Sequence, residues 1–385
     1  MLSNQKHLFL LPDDISYLNC AYISPLPKLV EEAGLQGMIR KRNPALIKPE
    51  DYFNGAEEIR KNLGKLINAA PQQIAIVPSA SYGLKAVVNN LPVNNGTHAI
   101  TVSAEFPSGY YTISNWCKQN NKELKIILPP ENLIERGKKW NEQILNSIEN
   151  DTAVVIMSGI HWADGTKFDL EKIGRRCKEV NALFVVDGTQ SVGALPIDVK
   201  SCHIDALVCA AYKWLLAPYS MGFAYFSEYF NDGIPLEDTW MNKTNAENFS
   251  QLSSYVDEYK PGAARYNAGE FSNFVLLPMF NKALEQIIEW DVSSIQQYCG
   301  NLIEPLVQLL KEKGFWIEDE NYRTNHLFGF LLPQTISKTH LLEKLQERKI
   351  YVSLRGDTIR VSPHVYNTPD DIESLIAVLK ALPNE

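Results

Sequence analysis

The chain has 385 residues, of which 45% are hydrophobic and 21% are charged, and its formal net charge is −8. This length and composition are typical of a globular protein with one large and one smaller domain, and the negative charge argues against nucleic acid as the main partner. We expect no membrane span, because no run of about 20 apolar residues is present, and no signal peptide, because the first apolar run soon meets Pro12 and two acids.

The cysteines and histidines are scattered along the chain. The six cysteines form no CxxC pair, and the seven histidines form no HxxxH or HxH pattern. Isolated cysteines of this kind are typical of reduced, mostly buried thiols, so we predict a cytoplasmic protein. The histidine spacing predicts no metal site.

The first 30 residues indicate an arm with a turn-rich end, and helical periodicity follows at 28–42 and 51–68. Strand and helix patterns then alternate. Apolar strand candidates lie at 73–77, 98–103, 124–128, 152–157, 183–186, 205–210 and 222–226, and helical segments lie at 82–91, 109–121, 138–149 and 169–181. This alternation predicts an α/β fold whose mostly parallel sheet is covered by helices on both faces.

The C-terminal third departs from this alternation. Residues 227–272 form a long polar connection, typical of an active-site or interface segment, and a helical run at 274–313 follows it. The final unit has strands at 326–332, 350–353 and 357–361 and helices at 337–348 and 369–381, which predicts a smaller α+β domain. We expect an arm and helix at 1–50 that pack with the small domain, a large domain at 51–270 and the small domain at 271–385.

The segment from Leu183 to Gly222 carries the main chemical signal. One apolar run ends at Asp187, and a second leads into Tyr212 and Lys213. Because neighbouring parallel strands end on the same edge of a sheet, Asp187 and Lys213 are expected to face one pocket. Pyridoxal phosphate needs a lysine for its Schiff base and an acid that keeps its ring nitrogen protonated. On these two residues alone, a surface ion pair is the simpler explanation.

Two further strand ends carry candidate cofactor contacts. Ser81 and the backbone of Ala80 open a helix after the strand at 73–77, where free N–H groups bind phosphate, although an ordinary serine cap is the alternative. Phe106 follows the strand at 98–103 and is suited to stack on a flat ring. A core phenylalanine beside a turn proline is the alternative there.

Three polar residues complete the candidate set. His161 follows the strand at 152–157 on the same edge, and a hydrogen-bonded structural histidine is its alternative. Gln190 can turn back to donate to the phenolic oxygen of the cofactor, or it can face solvent. Arg360 can bind an α-carboxylate bidentately, or it can lie on the solvent face of its strand.

Together these residues make the chain resemble the class V aminotransferase branch of fold-type I pyridoxal-phosphate enzymes. This branch includes cysteine desulfurases, selenocysteine lyases, isopenicillin N epimerase-like proteins and kynureninases. The resemblance extends from about Tyr17 to Ala381, and its most specific part is VVDGTQSVGALPIDV followed by YKW. EFPSG resembles the kynureninase side of the family, whereas IRVSPHVYNT resembles the desulfurase side.

The resemblance implies a role for each candidate. Lys213 forms the internal aldimine, Asp187 pairs with the pyridine nitrogen, His161 lies over or beside the ring, and Arg360 binds the substrate carboxylate. The remaining cofactor contacts are Phe106 on the ring, Gln190 at the phenolic oxygen, and Ala80, Ser81 and Tyr212 at the phosphate. Family members are usually homodimers with the site at the interface, so by analogy Trp240 and Asn267 are expected to reach the partner's site.

The resemblance is incomplete in two places. Desulfurases carry a mobile-loop cysteine shortly before the carboxylate-binding arginine, but here no cysteine follows Cys299, so a loop persulfide is not expected. The segment 158–165 also departs from the histidine and asparagine pattern of the family.

We therefore expect a pyridoxal-phosphate enzyme that acts on a small amino acid in an aminotransferase-like reaction. A C–S or C–Se lyase without a persulfide cysteine, desulfurase-like or kynureninase-like, is the first alternative. An amino-acid epimerase and a non-catalytic binding protein with the same fold are the others.

Overall fold

The computed structural model describes residues 2–333 and 336–382; the other positions of the predicted arm and small domain lie outside the described residues. The helices are α1 (Lys28–Arg40), α2 (Asn54–Ile67), α3 (Ala80–Val88), α4 (Pro107–Gln119), α5 (Arg136–Ser147), α6 (Leu170–Glu179), α7 (Leu276–Trp290), α8 (Val292–Glu312), α9 (Lys338–Glu347) and α10 (Pro369–Lys380). The strands are β1 (Ser16–Tyr17), β2 (Ile74–Val77), β3 (His98–Val102), β4 (Glu123–Ile127), β5 (Thr152–Ser158), β6 (Leu183–Asp187), β7 (Ala206–Ala210), β8 (Gly222–Phe226), β9 (Trp316–Ile317), β10 (Phe328–Leu331), β11 (Ile350–Tyr351), β12 (Ser353–Arg355) and β13 (Thr358–Val361).

The large sheet has the strand order β2-β8-β7-β6-β5-β3-β4. All neighbours in it pair in parallel except β8, which runs antiparallel to both β2 and β7. The segment between β7 and β8 is too short for a helical crossover, so β8 returns beside β7 as a hairpin. The predicted α/β class, with a mostly parallel sheet and a smaller C-terminal unit, is confirmed.

The central strands β5, β6 and β7 are apolar between their ends because both faces of the sheet are covered. In β6, Phe184 and Val186 belong to one apolar cluster, whereas Leu183 and Val185 belong to the cluster on the opposite face. This alternation follows from the two-residue period of a strand. Full burial of each such side chain contributes about 1.5–3 kcal/mol, which explains why these strands have no polar face.

A glycine allows α3 to approach the sheet closely. A Cβ atom on Gly83 would lie 2.8 Å from Val208 Cγ1 and 3.3 Å from the Ala224 Cβ atom. A larger residue would push the helix away from β7 and β8, since the neighbouring atoms belong to packed strands. The glycine therefore fixes the position of the α3 N-terminus over the end of the sheet.

The C-terminal unit has an antiparallel sheet of order β12-β13-β10-β9, packed with α8, α9 and α10 around its own apolar cluster. The helical run predicted at 274–313 is two helices. Asp291 adopts a positive φ of 63°, ends α7, and accepts a hydrogen bond from Ser294 N at the start of α8. A carboxylate in that position caps the new helix, so the chain changes direction there.

The N-terminal arm runs between the two units. Its short strand β1 pairs in parallel with β11, and Cys20 N donates to Ser362 O at 3.0 Å. Helix α1 packs against α7, and α7 also packs against α2 and contributes to the cluster of the large sheet. The division into 1–50, 51–270 and 271–385 stays a proposal. Helix α7 begins just after the boundary at residue 270, yet it packs against the large unit.

Among the described residues, no helix combines the length and apolarity needed to cross a membrane.

Candidate active site

A cavity of about 510 Å³ lies at the carboxyl edge of the large sheet. It falls within the range of about 300–1,000 Å³ typical of small-molecule sites. The loops after β2, β3, β5, β6 and β7 line it, together with the segment that leads into β8. The lining residues are Pro78, Ser79, Ala80, Ser81, Phe106, Ser108, Ser158, Trp162, Asp187, Thr189, Gln190, Ala210, Tyr212, Lys213, Tyr219, Ser220 and Met221.

Asp187 and Lys213 both line this cavity, as the strand pattern predicted. Asp187 is the last residue of β6 and is paired with Val208 of β7, and Lys213 follows the end of β7. Their exposed fractions are only 7% and 6%, which excludes a surface ion pair. Burial raises the pKa of Asp187, although Thr189 N donates to its Oδ1 at 2.9 Å.

Lys213 has an unusual protonation equilibrium for a lysine. Burial lowers its pKa to about 8; Asp187 opposes this shift, while Arg360 and Arg355 add to it. A buried amine with this pKa is neutral in about one molecule in ten at pH 7. Lys213 Nζ lies 5.5 Å from the ring centroid of Phe106 and 5.6 Å from that of Tyr212.

The N-terminus of α3 forms one end of the cavity. Ser79 caps the helix by accepting from Tyr82 N at 3.2 Å, and its Oγ lies 2.9 Å from Ser81 Oγ. The first backbone N–H groups of α3, at Ala80 and Ser81, therefore remain available beside two hydroxyls. Such an arrangement binds a phosphate through hydrogen bonds and the positive end of the helix dipole.

The turn after β3 places Phe106 on the cavity wall. Ala104 in this turn has a positive φ of 51°, which is costly for a residue with a side chain. Glu105 is buried and accepts hydrogen bonds from Phe106 N at 2.6 Å and from Ser158 N at 2.7 Å. Burial raises the pKa of Glu105, and its hydrogen bonds tie the turn to the end of β5.

His161 lies behind this turn and does not line the cavity. Its Nε2 faces Ser103 O at 3.2 Å and Ala104 O at 3.3 Å, and its Nδ1 lies 2.8 Å from Asp164 Oδ1. Burial lowers the pKa of His161, but the Asp164 carboxylate outweighs burial and raises it above the ordinary value. Arg136 donates to the other oxygen of Asp164 at 2.8 Å. His161 is thus a buried side chain beside a carboxylate, and it holds the turn that carries Phe106.

We expect His161→Phe to weaken cofactor binding about tenfold while leaving turnover at saturating cofactor within about threefold. The phenyl ring keeps the packing against Trp140 but removes the ring nitrogen that faces Ser103 O and Ala104 O, and the buried carbonyl groups left unpaired cost about 1–3 kcal/mol. Fluorescence titration with the cofactor measures the first quantity, and steady-state assays measure the second. The exposed His340→Phe is the control.

A different result for His161→Phe would restore the role implied by the family resemblance. If turnover fell more than 100-fold with unchanged cofactor affinity, His161 would act on the substrate rather than on the turn.

Gln190 and Tyr212 line the cavity and are held by the N-terminal arm. Gln190 Nε2 donates to Ala21 O at 3.2 Å, and its Oε1 accepts from Trp214 Nε1 at 2.8 Å. Tyr212 O accepts from Ser24 N at 3.1 Å. The contact of Gln190 with a phenolic oxygen stays a prediction, since one amide N–H already points to the arm.

Arg360 lies just outside the cavity lining. Its residue is 1% exposed, and its NH1 group donates to Trp162 O at 2.6 Å. Trp162 lines the cavity, and its ring meets that of Phe106 edge-on at 5.5 Å. The structure therefore brings Arg360 beside the site from the C-terminal unit.

Trp240 and Asn267 lie away from the cavity of their own chain. Trp240 is 40% exposed and contacts the rings of Tyr52 and Phe53. Asn267 is buried, and its Oδ1 accepts from Ile76 N at 2.9 Å, which supports the edge strand β2. Their predicted contribution to a partner's site stays a prediction.

Sequence reasoning assigned no role to several cavity residues. Ser158 is the last residue of β5 and Thr189 follows the end of β6, so the same edge rule would have found them. Ser220 and Met221 precede β8, and they reach this edge only because β8 is antiparallel. To predict Ser220 and Met221, the direction of β8 would have to be known, and the apolar pattern does not encode it.

The residues in the cavity fit pyridoxal phosphate. They offer a buried amine, a buried carboxylate, an aromatic wall and a helix N-terminus with two hydroxyls. This donor set matches an aldehyde, a pyridine nitrogen, a flat ring and a phosphate.

Comparisons with known proteins agree with this fit. The model of the class-V aminotransferase family matches residues 49–375. The uncharacterized aminotransferase YcbU of Bacillus subtilis (strain 168) is 26% identical over 333 residues, which cover 86% of this chain and 85% of that protein. Kynureninase of Pseudomonas fluorescens is 22% identical over 330 residues, which cover 81% of this chain and 74% of that protein.

Solved structures share the fold. C-DES with glycine covalently linked to the pyridoxal-phosphate cofactor has a TM-score of 0.85 at 18% identity, covering 99% of this chain and 100% of that one. The complex of C-DES, a cystine C-S lyase, with cysteine persulfide has a TM-score of 0.83 at 18% identity, covering 96% of this chain and 98% of that chain.

This chain belongs to the class-V aminotransferase family. It is accordingly an enzyme with the fold-type I architecture, and its cofactor is pyridoxal phosphate.

Proposed function

We propose that this enzyme carries out an aminotransferase-like reaction on a small α-amino acid, with Lys213 as the covalent anchor of the cofactor and as the base at Cα. The observation that carries the proposal is the buried position of Lys213 at the cavity, with a pKa lowered to about 8. An amine poised near neutral pH can both accept and return a proton.

The candidate residues in and beside the cavity then have defined tasks. When bound, pyridoxal phosphate supplies a ring that withdraws electrons from the Cα of the substrate. Asp187 would hold the proton on the pyridine nitrogen, and its burial makes that charge interaction strong. Phe106 restricts the ring plane, and the N-terminus of α3 holds the phosphate. Arg360 would orient the substrate through its α-carboxylate.

A C–S lyase reaction is the second candidate, supported by its own observation. The C-DES structure, whose fold this chain shares, is named as a cystine C-S lyase. All six cysteines here are free and buried, and none lines the cavity. The hairpin before Arg360 turns at Gly356 and Asp357 and has no room for a mobile cysteine loop. A lyase on this scaffold would release sulfur without a protein persulfide.

The two candidates differ in their need for an acceptor. An aminotransferase completes one turnover per active site and then stops until a 2-oxo acid is added. A lyase turns over repeatedly without an acceptor and releases sulfide or a persulfide together with ammonia. Rapid-quench measurement of 2-oxo acid, ammonia and sulfide under anaerobic conditions separates the two reactions. If no amino acid of a panel underwent either reaction although the cofactor was bound, the proposed function would be contradicted.

The pKa of Lys213 predicts the pH dependence of cofactor loading. We expect the rate of covalent attachment to the cofactor-free protein to rise about tenfold per pH unit below pH 8 and to level off above it. The reason is that only the neutral amine attacks the aldehyde, and burial keeps the neutral form available from about pH 8 upward. Mass spectrometry of the borohydride-reduced protein measures attachment at Lys213. A rate that kept rising to pH 10 would indicate an ordinary lysine and contradict the prediction.

We also propose a cytoplasmic homodimer with the active site near its interface. Support comes from the exposed apolar side chains of α1, namely Leu29, Leu35, Met38 and Ile39, and from the six unpaired thiols. The exposed Trp240 would approach the partner's site across this interface, whereas the buried Asn267 would act on that site only through the segment that it holds. Sedimentation analysis tests the dimer, and substitutions on α1 test the face.

A further inference from the structure

Two arginines share one face of the hairpin formed by β12 and β13. Ser353 is paired with Arg360, and Arg355 is paired with Thr358. Because side chains alternate along a strand, Arg355 and Arg360 project from the same face as diagonal neighbours. Like charges in this arrangement repel each other. Burial and Arg355 together lower the pKa of Arg360 to about 9.

Neither arginine forms an ion pair with an acid among the residues that the structure describes. Asp357, the acid of the hairpin turn, pairs instead with Lys338. The Nε groups of Arg355 and Arg360 are buried and have no hydrogen-bond acceptor within the described residues. Arg355 NH1 donates only to the neighbouring Leu354 O, at 3.0 Å. Unpaired donors on two adjacent cations are costly, so an anionic ligand is expected to satisfy them.

Both guanidinium groups meet the active site at Trp162. Arg360 donates to the carbonyl of Trp162, and the Arg355 guanidinium carbon lies 5.7 Å from its ring centroid. Trp162 lines the cavity, and neither arginine contacts the N-terminus of α3 among the described contacts. Both cations also act on Lys213, as the shift in its pKa shows. The pair is therefore placed where substrate, rather than cofactor phosphate, is expected.

We propose that Arg355 binds a second anionic group on the side chain of the substrate while Arg360 binds its α-carboxylate, so the preferred substrates are amino acids with two acidic groups. This inference rests on the proposed function, because it assigns the substrate class of the same site. The second group is a carboxylate, sulfinate or sulfonate, since each accepts the hydrogen bonds of a guanidinium. The carboxylate of the far half of a disulfide amino acid satisfies the same description.

The test compares matched acidic and neutral substrates in the holoenzyme. We expect kcat/KM for L-aspartate, L-glutamate, L-cysteine sulfinate or L-cystine to exceed that for L-asparagine, L-glutamine or L-alanine at least tenfold. In Arg355→Gln this ratio falls about 10- to 100-fold, as expected for loss of a charge-assisted contact. Arg355→Lys retains part of the preference, because lysine keeps the positive charge but lacks the paired N–H donors of a guanidinium group. Arg348→Gln, an exposed arginine of the same unit, leaves the ratio unchanged.

Equal losses on acidic and neutral substrates in Arg355→Gln would assign Arg355 to packing on Trp162 and overturn the inference. If no amino acid is turned over, that result overturns the proposed function alone. A binding measurement then still tests whether the second anion site exists. Calorimetry of the cofactor-loaded protein compares glutarate with butyrate. We expect glutarate to bind at least tenfold more tightly to the wild type, and Arg355→Gln to remove that difference. Equal binding of glutarate and butyrate to the wild type would refute a second anion site.

Discussion

Lys213→Ala is expected to lower turnover of every substrate by at least about 1,000-fold. The substitution removes both the covalent anchor of the cofactor and the proton carrier at Cα, and these two tasks contribute separately to the rate. The change shortens one side chain at a cavity wall, so folding is expected to be preserved. Steady-state assays measure the loss, and thermal unfolding checks the fold.

The exposed Lys118→Ala is the matched control for Lys213→Ala, because it removes a lysine far from the cavity. Mass spectrometry after borohydride reduction should find the cofactor attached in the control and absent in Lys213→Ala. Retention of the covalent cofactor and of turnover in Lys213→Ala would reassign the anchor to another lysine.

Asp187→Asn is expected to reduce kcat about 100- to 1,000-fold, with a smaller loss of cofactor affinity. The amide keeps the size of the side chain and can still accept from Thr189 N through its carbonyl oxygen. It cannot stabilise a protonated pyridine nitrogen, so the ring draws fewer electrons from the substrate. Measurement of kcat at saturating cofactor separates this electronic effect from weakened binding.

Asp205 offers a matched control for Asp187→Asn. It is a half-buried acid beside β7, where it accepts from Phe184 N at 2.8 Å, and partial burial raises its pKa to about 6. It lies away from the cavity lining, so Asp205→Asn is expected to affect stability but not kcat. Similar losses of kcat in both variants would show that Asp187 acts through the fold instead of through the cofactor.

The sequence pattern predicted the large sheet well because each strand is a short, continuous apolar run. The positions of Asp187 and Lys213 followed from the same pattern, since a parallel pair of strands brings both ends to one edge. The antiparallel direction of β8 could not be predicted from the apolar pattern, because an apolar run has the same pattern in either direction. The cavity residues before β8 were missed for this reason.

The roles of polar residues were harder to predict than the strands. His161 follows a strand end, as expected, yet its ring turns inward because Asp164 and Arg136 form a buried charge cluster around it. The sequence pattern did not identify Arg355 as a candidate residue, because its importance depends on the register of the hairpin formed by β12 and β13. Such features depend on which residues meet across the fold, and spacing along one chain does not encode them.

The N-terminal arm has a consequence for how the site is made during synthesis. Asn4 donates to Asn367 O at 2.7 Å, and Ala21 supports Gln190 in the cavity wall. The arm must therefore wait for a segment synthesised 363 positions later before its contacts form. The large sheet can assemble earlier, but the wall beside Gln190 and Tyr212 is completed only when the arm has docked. Such contacts between distant parts of a chain form slowly. Competence to bind the cofactor firmly is thus expected to appear only after the segment around Asn367 has been synthesised and has met the arm.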